Sequence, residues 1–304
     1  MTDGEGVGVV TVTHDSEHEL ERLLASVDRH LAGARVVVVD SGSSDRSAEV
    51  AREWPAGAEV IELGRNAGFG AGVNAGVAAL PGEIPVTIIL NPDVELVDGS
   101  LADLARELAR DGTPDRILAP LILLPDGRRQ DSAHPEPAST PLLLSALVPP
   151  AVLPGPLRRR VDPWRADRPR RVGWAVGACL IARTGTLRRL GPFDERAFLY
   201  AEDLDLGLRA GDAGVETWFR PEARVLHGKA HATSRYFGGE AFELLAQRRR
   251  EVVEERRGPG RRRLDDWVQL VTFADRILLK TLARRQSDRE RQQLHALWQL
   301  VTKG

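Results

Sequence analysis

The sequence predicts an α/β protein built on a doubly wound, mostly parallel sheet with flanking helices. Two observations carry that prediction. Five short aliphatic runs recur through the first 125 residues, and a helical pattern follows each of the first four. At 304 residues with 42% apolar content, the chain can bury a full core.

Residues 7–13, 35–40, 59–63, 86–90 and 117–123 are β-branched or aliphatic runs of the kind buried in a parallel sheet. Between them, residues 17–31 place Leu20, Leu23, Leu24 and Val27 on one helical face, and residues 45–54, 69–80 and 100–109 read as further helices. Strand and helix therefore alternate at βαβ spacing. In such sheets ligands bind at the carboxyl ends of the strands, so the loops after Thr13, Asp40, Leu63 and Leu90 are expected to share one crevice.

The middle of the chain differs in kind. Residues 125–171 are rich in Pro and Arg, with Arg158, Arg159, Arg160, Arg165, Arg168, Arg170 and Arg171 set against Asp162 and Asp167. Such a segment reads as a lid or partner-binding insertion within a catalytic unit spanning 1–240. An apolar run follows at 172–182, a helix at 202–210 and a short strand at 223–226. Residues 241–304 read as a helical extension, interrupted at Gly258-Pro259-Gly260.

Composition excludes several classes. A net charge of −2 gives no reason to expect nucleic acid as a partner. The single Cys179 excludes an intramolecular disulfide and fits a reducing compartment. The acidic start, with Asp3 and Glu5, is unlike a signal peptide, and the apolar stretch 142–153 is broken by Pro149 and Pro150. A cytoplasmic protein with no membrane span is the expectation, although one that can rest on a membrane.

Four constellations carry chemistry. Asp40-Ser41-Gly42-Ser43-Ser44-Asp45 closes the second strand. Its small residues can approach a ligand while Asp40 accepts hydrogen bonds from a base or ribose, or Ser43 or Ser44 can simply cap the next helix. The loop Arg65-Asn66-Ala67-Gly68-Phe69-Gly70 follows a strand and opens a helix, which suits a diphosphate or nucleoside, but it lacks the G-x-G-x-x-G fingerprint of nicotinamide and flavin enzymes. Asn91-Pro92-Asp93 follows the fourth strand, where a carboxylate can bind a hard divalent ion shared with phosphates or cap a proline turn. Glu202, Asp203 and Asp205 open a helix whose dipole favours them, and Glu202 and Asp203 are adjacent like charges of the kind that supplies a base to a sugar hydroxyl. His227 ends the strand at 223–226.

In this order, together with Gly177-Ala178-Cys179, Phe193-Asp194-Glu195, Tyr200-x-Glu202-Asp203-x-Asp205 and His227-x-Lys229-Ala230-His231, the motifs resemble the family-2 glycosyltransferases of GT-A fold from about residue 7 to 235. The stretch from Val172-Gly173-Trp174 to His231 is most similar to rhamnosyltransferases acting on polyprenyl-diphosphate-linked N-acetylglucosamine in bacterial cell-wall assembly.

The resemblance implies that Thr13, His14, Asp40, Arg65, Asn66, Gly68, Phe69, Asn91 and Asp93 hold a nucleotide-sugar donor, here dTDP-L-rhamnose. It implies that Asp93 and His227 bind Mg²⁺ or Mn²⁺. Asp203 is the implied base with Glu202 beside it, and Trp174, Gly177, Ala178 and Cys179 form an acceptor wall. Asn91 stands where many relatives carry the first carboxylate of an Asp-x-Asp pair, and His14 where they carry asparagine. The acceptor would be a lipid-linked glycan. The segment 266–285 sets Trp267, Leu270, Val271, Ala274, Ile277, Leu278 and Leu282 at helical spacing beside Arg276, Lys280, Arg284 and Arg285. Such a basic amphipathic helix can lie in an anionic interface, or else pack on the catalytic domain or on a second copy in a homodimer. UDP- or GDP-sugar transfer, nucleotidyl transfer and a non-catalytic nucleotide-binding module are the alternative readings.

Overall fold

The computed structural model describes residues 4–148, 152–195, 200–228 and 241–303. The amino-terminal half alternates as the sequence predicts: β1 (Val7–Thr13), α1 (Glu17–His30), β2 (Arg35–Asp40), α2 (Ser47–Glu53), β3 (Ala58–Glu62), α3 (Phe69–Ala79) and β4 (Val86–Leu90). Alternate residues of one strand face opposite sides of the sheet. Val7, Val9, Val36 and Val38 enter a core shared with α1 and α4 (Ser100–Ala109), while Val10, Val12, Val37 and Val39 enter one shared with α3. Both faces are covered, and for that reason these strands are continuously apolar instead of alternating.

The remaining strands are β5 (Val94–Leu96), β6 (Arg116–Leu123), β7 (Ala133–His134), β8 (Arg170–Val172), β9 (Trp174–Ala175), β10 (Cys179–Arg183) and β11 (Glu216–His227). The main sheet runs β3-β2-β1-β4-β10-β6-β11-β5, with β8 beside β11, and β7 pairs separately with β9. Strands β3, β2, β1 and β4 are mutually parallel, and β6 and β11 are parallel to each other; β10 is antiparallel to both its neighbours, and β5 and β8 are antiparallel to β11. Two of these pairings build the site. In β11–β5, His227 stands opposite Val94, one residue from Asp93, and Gly228 N–H donates to Asp93 O at 2.9 Å. In β10–β4, Cys179 stands opposite Leu90, and Asn91 N–H donates to Ala178 O at 2.9 Å.

Glycine spacing sets how closely α3 approaches the sheet. A Cβ on Gly72 would meet Val12 Cγ1 at 2.6 Å, and one on Gly76 would meet Val10 Cγ1 at 2.4 Å. With hydrogen there instead, α3 lies flush on β1 and its first residues reach the sheet's carboxyl edge.

The segment 125–171 contributes β7, α5 (Thr140–Leu147) and α6 (Gly155–Val161), with Ser132, Ala133 and Ala138 buried. After β10 come α7 (Thr184–Leu190) and α8 (Glu202–Asp212). The carboxyl-terminal helices are α9 (Phe242–Leu282) and α10 (Asp288–Lys303). Gly258, at φ 84° and ψ 167°, breaks α9 into two arms, where Gly258-Pro259-Gly260 predicts an interruption. Arg249 pairs with Asp265 at 2.8 Å and Arg250 with Asp266 at 3.2 Å. In each pair the partners are 16 residues apart, roughly 24 Å along a straight helix, so the arms fold back as a hairpin about Gly258. No helix among the described residues is long and apolar enough to cross a membrane.

Candidate active site

One cavity of about 450 Å³ opens at the carboxyl edge of the sheet. It is lined by Thr13, His14, Asn66, Gly68, Phe69, Asn91, Asp93, Trp174, Gly177, Ala178, Glu202, Asp203 and His227. Thus thirteen of the residues singled out from sequence meet in one place. Three stand outside the lining: Asp40 is buried behind it at 4% exposure, Arg65 is exposed, and Cys179 is fully buried in β10. Burial pushes the Cys179 thiol well above its usual range, which keeps it protonated. Lys229 and His231 lie outside the described residues.

The serine-rich loop is a brace between β1 and β2. Asp15 N–H donates to Ser43 Oγ at 3.1 Å, Ser44 N–H donates to Asp15 Oδ1 at 2.7 Å, and Ser43 N–H donates to Asp40 Oδ2 at 3.1 Å. Neither Ser43 nor Ser44 caps α2, whose first residue instead donates through its N–H to Asp45 Oδ1 at 3.0 Å. Ser41 Oγ accepts from Ala67 N–H at 3.0 Å and so fastens the Asn66 loop to the same edge. His14 Nδ1 and Thr13 Oγ1 in this pocket wall, and Asp40 Oδ1 behind it, are buried without partners. Unsatisfied buried polar atoms of this kind mark where a polar ligand would be held.

Asp93 and His227 are drawn together by the β5–β11 register. Their side chains are 9% and 7% exposed, with His227 Nε2 at 3.1 Å from Asp93 Oδ1. His227 Nδ1 lies 2.8 Å from Gln130 Oε1; in the tautomer that carries its proton on Nδ1 it donates to that oxygen and turns the Nε2 lone pair toward Asp93. Neither Nε2 nor Asp93 Oδ2 has a hydrogen-bond partner. Two electron-rich groups face one another across this gap, a donor set that fits a divalent cation. Gln130 carries no motif in the sequence; only the fold brings it beneath His227.

The acids of α8 divide by environment. Asp205, 3% exposed, is held by Arg209 and Arg256, each at 2.7 Å, and serves the structure. Asp203 faces the cavity, its Oδ2 accepting from Gly177 N–H at 3.1 Å and its Oδ1 from Leu204 N–H at 2.8 Å. Glu202 Oε2 is buried with no partner. Burial, and then the charge of Asp203, pushes Glu202 up to about 8. Burial also raises Asp203, opposed by the N–H groups of Gly177 and Leu204 and by the charge of Arg249. Of the two, Asp203 is the one whose carboxylate accepts backbone N–H groups, so Glu202 is the partner that more readily keeps a proton. Just before them, Tyr200 and Ala201 adopt left-handed backbone at φ 72° and 62°. Conformations of this sort cost about 1–3 kcal/mol each, and here they set the direction in which α8 and its acids enter the cavity.

Trp174 stacks on His134 at 4.2 Å between ring centroids, and a Cβ on Gly207 would meet Trp174 Cβ at 2.5 Å. Trp174 is thus wedged between β7 and α8 with one side on the cavity. Arg249 and Leu245, from α9, complete the lining and were not singled out from sequence.

Comparison with known proteins gives the class to which the chain belongs. Residues 8–119 match the model of glycosyl transferase family 2. The chain is 38% identical over 250 residues to the N-acetylglucosaminyl-diphospho-decaprenol L-rhamnosyltransferase of Mycobacterium tuberculosis, covering 75% of this chain and 77% of that protein. It is 25% identical over 241 residues to the rhamnosyltransferase WbbL of Escherichia coli K12, covering 78% and 88% of the two. The mannosyltransferase PcManGT of Pyrobaculum calidifontis, solved with GDP-Man and Mn²⁺, shares the fold with a TM-score of 0.62 at 15% identity, over 98% of this chain and 86% of that one. The chain belongs to glycosyl transferase family 2, and it is a glycosyltransferase.

The raised Glu202 has a consequence for stability. Its carboxyl ionises near the usual range in the unfolded chain but only at about 8 in the folded one, so folding becomes less favourable as pH rises between those values. Glu202→Gln removes that penalty. In thermal melts at a series of pH values, the variant is expected to exceed the wild type at alkaline pH, the gap closing toward acid pH; a gap that does not change with pH would contradict the assignment.

Proposed function

We propose that this glycosyltransferase transfers L-rhamnose from dTDP-L-rhamnose, with inversion, to a hydroxyl of a polyprenyl-diphosphate-linked N-acetylglucosamine. The donor and acceptor are supported by the 38% identity to the mycobacterial L-rhamnosyltransferase. The observation that carries the chemistry is the single cavity holding both the nucleotide-side loops and Asp203. In this reading residues 1–240 form the catalytic unit, with 125–171 an insertion on its acceptor side, and 241–304 a helical extension.

Thr13, His14, Asn66 and Asn91 hold the nucleoside and ribose, with Asp40 bracing that wall from behind. Asp93 and His227 would hold Mg²⁺ or Mn²⁺, which supplies neutralisation of the negative charge that develops on a departing diphosphate. Asp203, anionic and fixed by two backbone N–H groups, takes the proton of the acceptor hydroxyl. The freed oxygen attacks the anomeric carbon on the face opposite the diphosphate, so one displacement inverts the configuration. Glu202, kept protonated, leaves the pair a single negative charge. Trp174 offers an apolar face to the acceptor sugar from the side of Gly177 and Ala178.

A lipid-linked acceptor is presented at a membrane surface, and the carboxyl-terminal helices are suited to one. The apolar residues of 266–285 divide: Leu270, Val271 and Ile277 are half-buried, whereas Trp267, Leu278 and Leu282 are 45%, 57% and 73% exposed, as is Trp298 at 57% on α10. Of the basic residues in this segment, Arg276, Arg284 and Arg285 are exposed, and Lys280 is half-buried and paired with Glu290 at 2.7 Å. In this reading the face rests on the anionic inner leaflet, placing the protein at the cytoplasmic side of the membrane.

Asp203→Asn is expected to lower turnover by roughly 10²–10⁴-fold while donor affinity is kept, as measured by nucleoside diphosphate release and by donor titration. Wild-type turnover in that variant would remove Asp203 from the mechanism. Replacing Leu278 and Leu282 together by Asp is expected to abolish flotation with anionic liposomes and to spare transfer to a short-chain soluble acceptor. Undiminished flotation, or a concentration-dependent dimer that the double variant dissociates, would assign this face to something other than a membrane.

A further inference from the structure

The first arm of α9 is clamped directly onto the helix that carries the base. Val253, fully buried, packs with Ala201, Leu204 and Leu208. Arg256 pairs with Asp205 at 2.7 Å, and Arg257 with Asp212 at 2.9 Å and Glu136 at 2.6 Å. One turn or so earlier on the same arm, Arg249 reaches the cavity that Asp203 lines. Its side chain is only 17% exposed, and its guanidinium is gripped by a fork, Nε to Asp265 Oδ2 at 2.8 Å and Nη2 to Asp265 Oδ1 at 3.0 Å. Asp265, 2% exposed, is itself fixed by Ala138 N–H at 3.2 Å and Gln269 Nε2 at 2.9 Å. The helical hairpin thus presents one cation, locked in direction, to a cavity whose acids are otherwise uncompensated from that side.

We propose that Arg249 is a positioning residue for the reaction: supplied by the carboxyl-terminal hairpin and braced by Asp265, it is the fixed counter-charge that keeps the Asp203 carboxylate anionic and ready to take a proton. The assignment rests on the reading of Asp203 as the base. The groups that face Asp203 support it. From its own helix comes Glu202, a like charge; from the strand segment before β10 comes Gly177 N–H; elsewhere around the cavity stand His14, Glu19, Asp93 and His227; from α9 comes Arg249. Arg249 is the cation whose charge favours the ionised form of Asp203, and Asp203 in turn favours the charged form of Arg249. The two buried acids therefore depend on a segment far beyond the nucleotide-binding half. An isolated catalytic half would lose that compensation.

The test reads Asp203 directly and the reaction separately. In the Glu202→Gln background, the infrared carboxyl band that disappears in the additional Asp203→Asn variant reports protonation of Asp203 across a pH series. Arg249→Gln is expected to raise its midpoint by about one pH unit, the lower end of the effect of a nearby opposite charge, and Arg249→Lys to leave it near its original value. With Glu202 intact, the acid limb of kcat/KM is expected to move by the same amount, with KM for the donor unchanged. If Arg249→Gln does not fold, Asp265→Asn gives the opposite sign, because it frees the arginine's charge toward Asp203 and lowers the midpoint. An unmoved midpoint in folded Arg249→Gln, or an unmoved or raised one in Asp265→Asn, overturns the proposal. A shifted midpoint in a protein that transfers no sugar would leave the counter-charge standing and sink the function.

Discussion

The contact on which the site depends is Asp93 against His227, a carboxylate oxygen and an imidazole nitrogen 3.1 Å apart. The fold holds this contact in place from three sides. The β11–β5 register sets His227 opposite Val94, Gly228 N–H is bonded to Asp93 O, and Gln130 fixes the imidazole from behind. Around this point the remaining loops are placed by backbone pairing: Asn91 to Ala178, and through Ala178 to Gly177, which donates to Asp203. The two sides of the cavity are thereby linked through a few residues of β4 and β10, so a shift in either strand would misalign both.

The start of α8 stores electrostatic and conformational cost. Two adjacent carboxyls share a buried corner, and Tyr200 and Ala201 reach them through left-handed backbone. Costs of this size persist only where surrounding structure holds the segment in place. Here that structure is α9, fastened to α8 by Val253, Arg256 and Arg257. Burying ion pairs adds little net stability, since desolvation offsets much of the attraction. Their value in this hairpin is direction: Arg249–Asp265 and Arg250–Asp266 fix how the two arms of α9 meet and so where Arg249 points.

Much of the fold was legible because burial on both faces writes itself into the sequence as unbroken runs such as Val36 to Val39. Strands held in place by pairing alone were not. Strand β5 has three residues and β7 and β9 two each, too short for any periodicity, and β11 is twelve residues long but interrupted by a register shift between Arg220 and Arg224. That β10 inserts between β4 and β6 is a long-range fact that local pattern does not carry. The site followed the same division. Asp93, Glu202, Asp203 and His227 sit in motifs and converge, whereas Gln130 and Arg249 lie in stretches with no motif. A signal for Arg249 did exist: Arg249-Arg250 and Asp265-Asp266 lie on either side of Gly258-Pro259-Gly260, the charge pattern of a cross-linked helical hairpin.

The central claim is that Asp93 and His227 form one cation site shared with the donor's diphosphate. Electron–nuclear double resonance of Mn²⁺ bound to the protein with dTDP examines it most directly, because it identifies the nuclei touching the ion. The account predicts a ¹⁴N coupling that His227→Gln abolishes, together with ³¹P couplings from the nucleotide. Phosphorus couplings without a histidine nitrogen would show that the cation, if bound, does not sit between these two side chains.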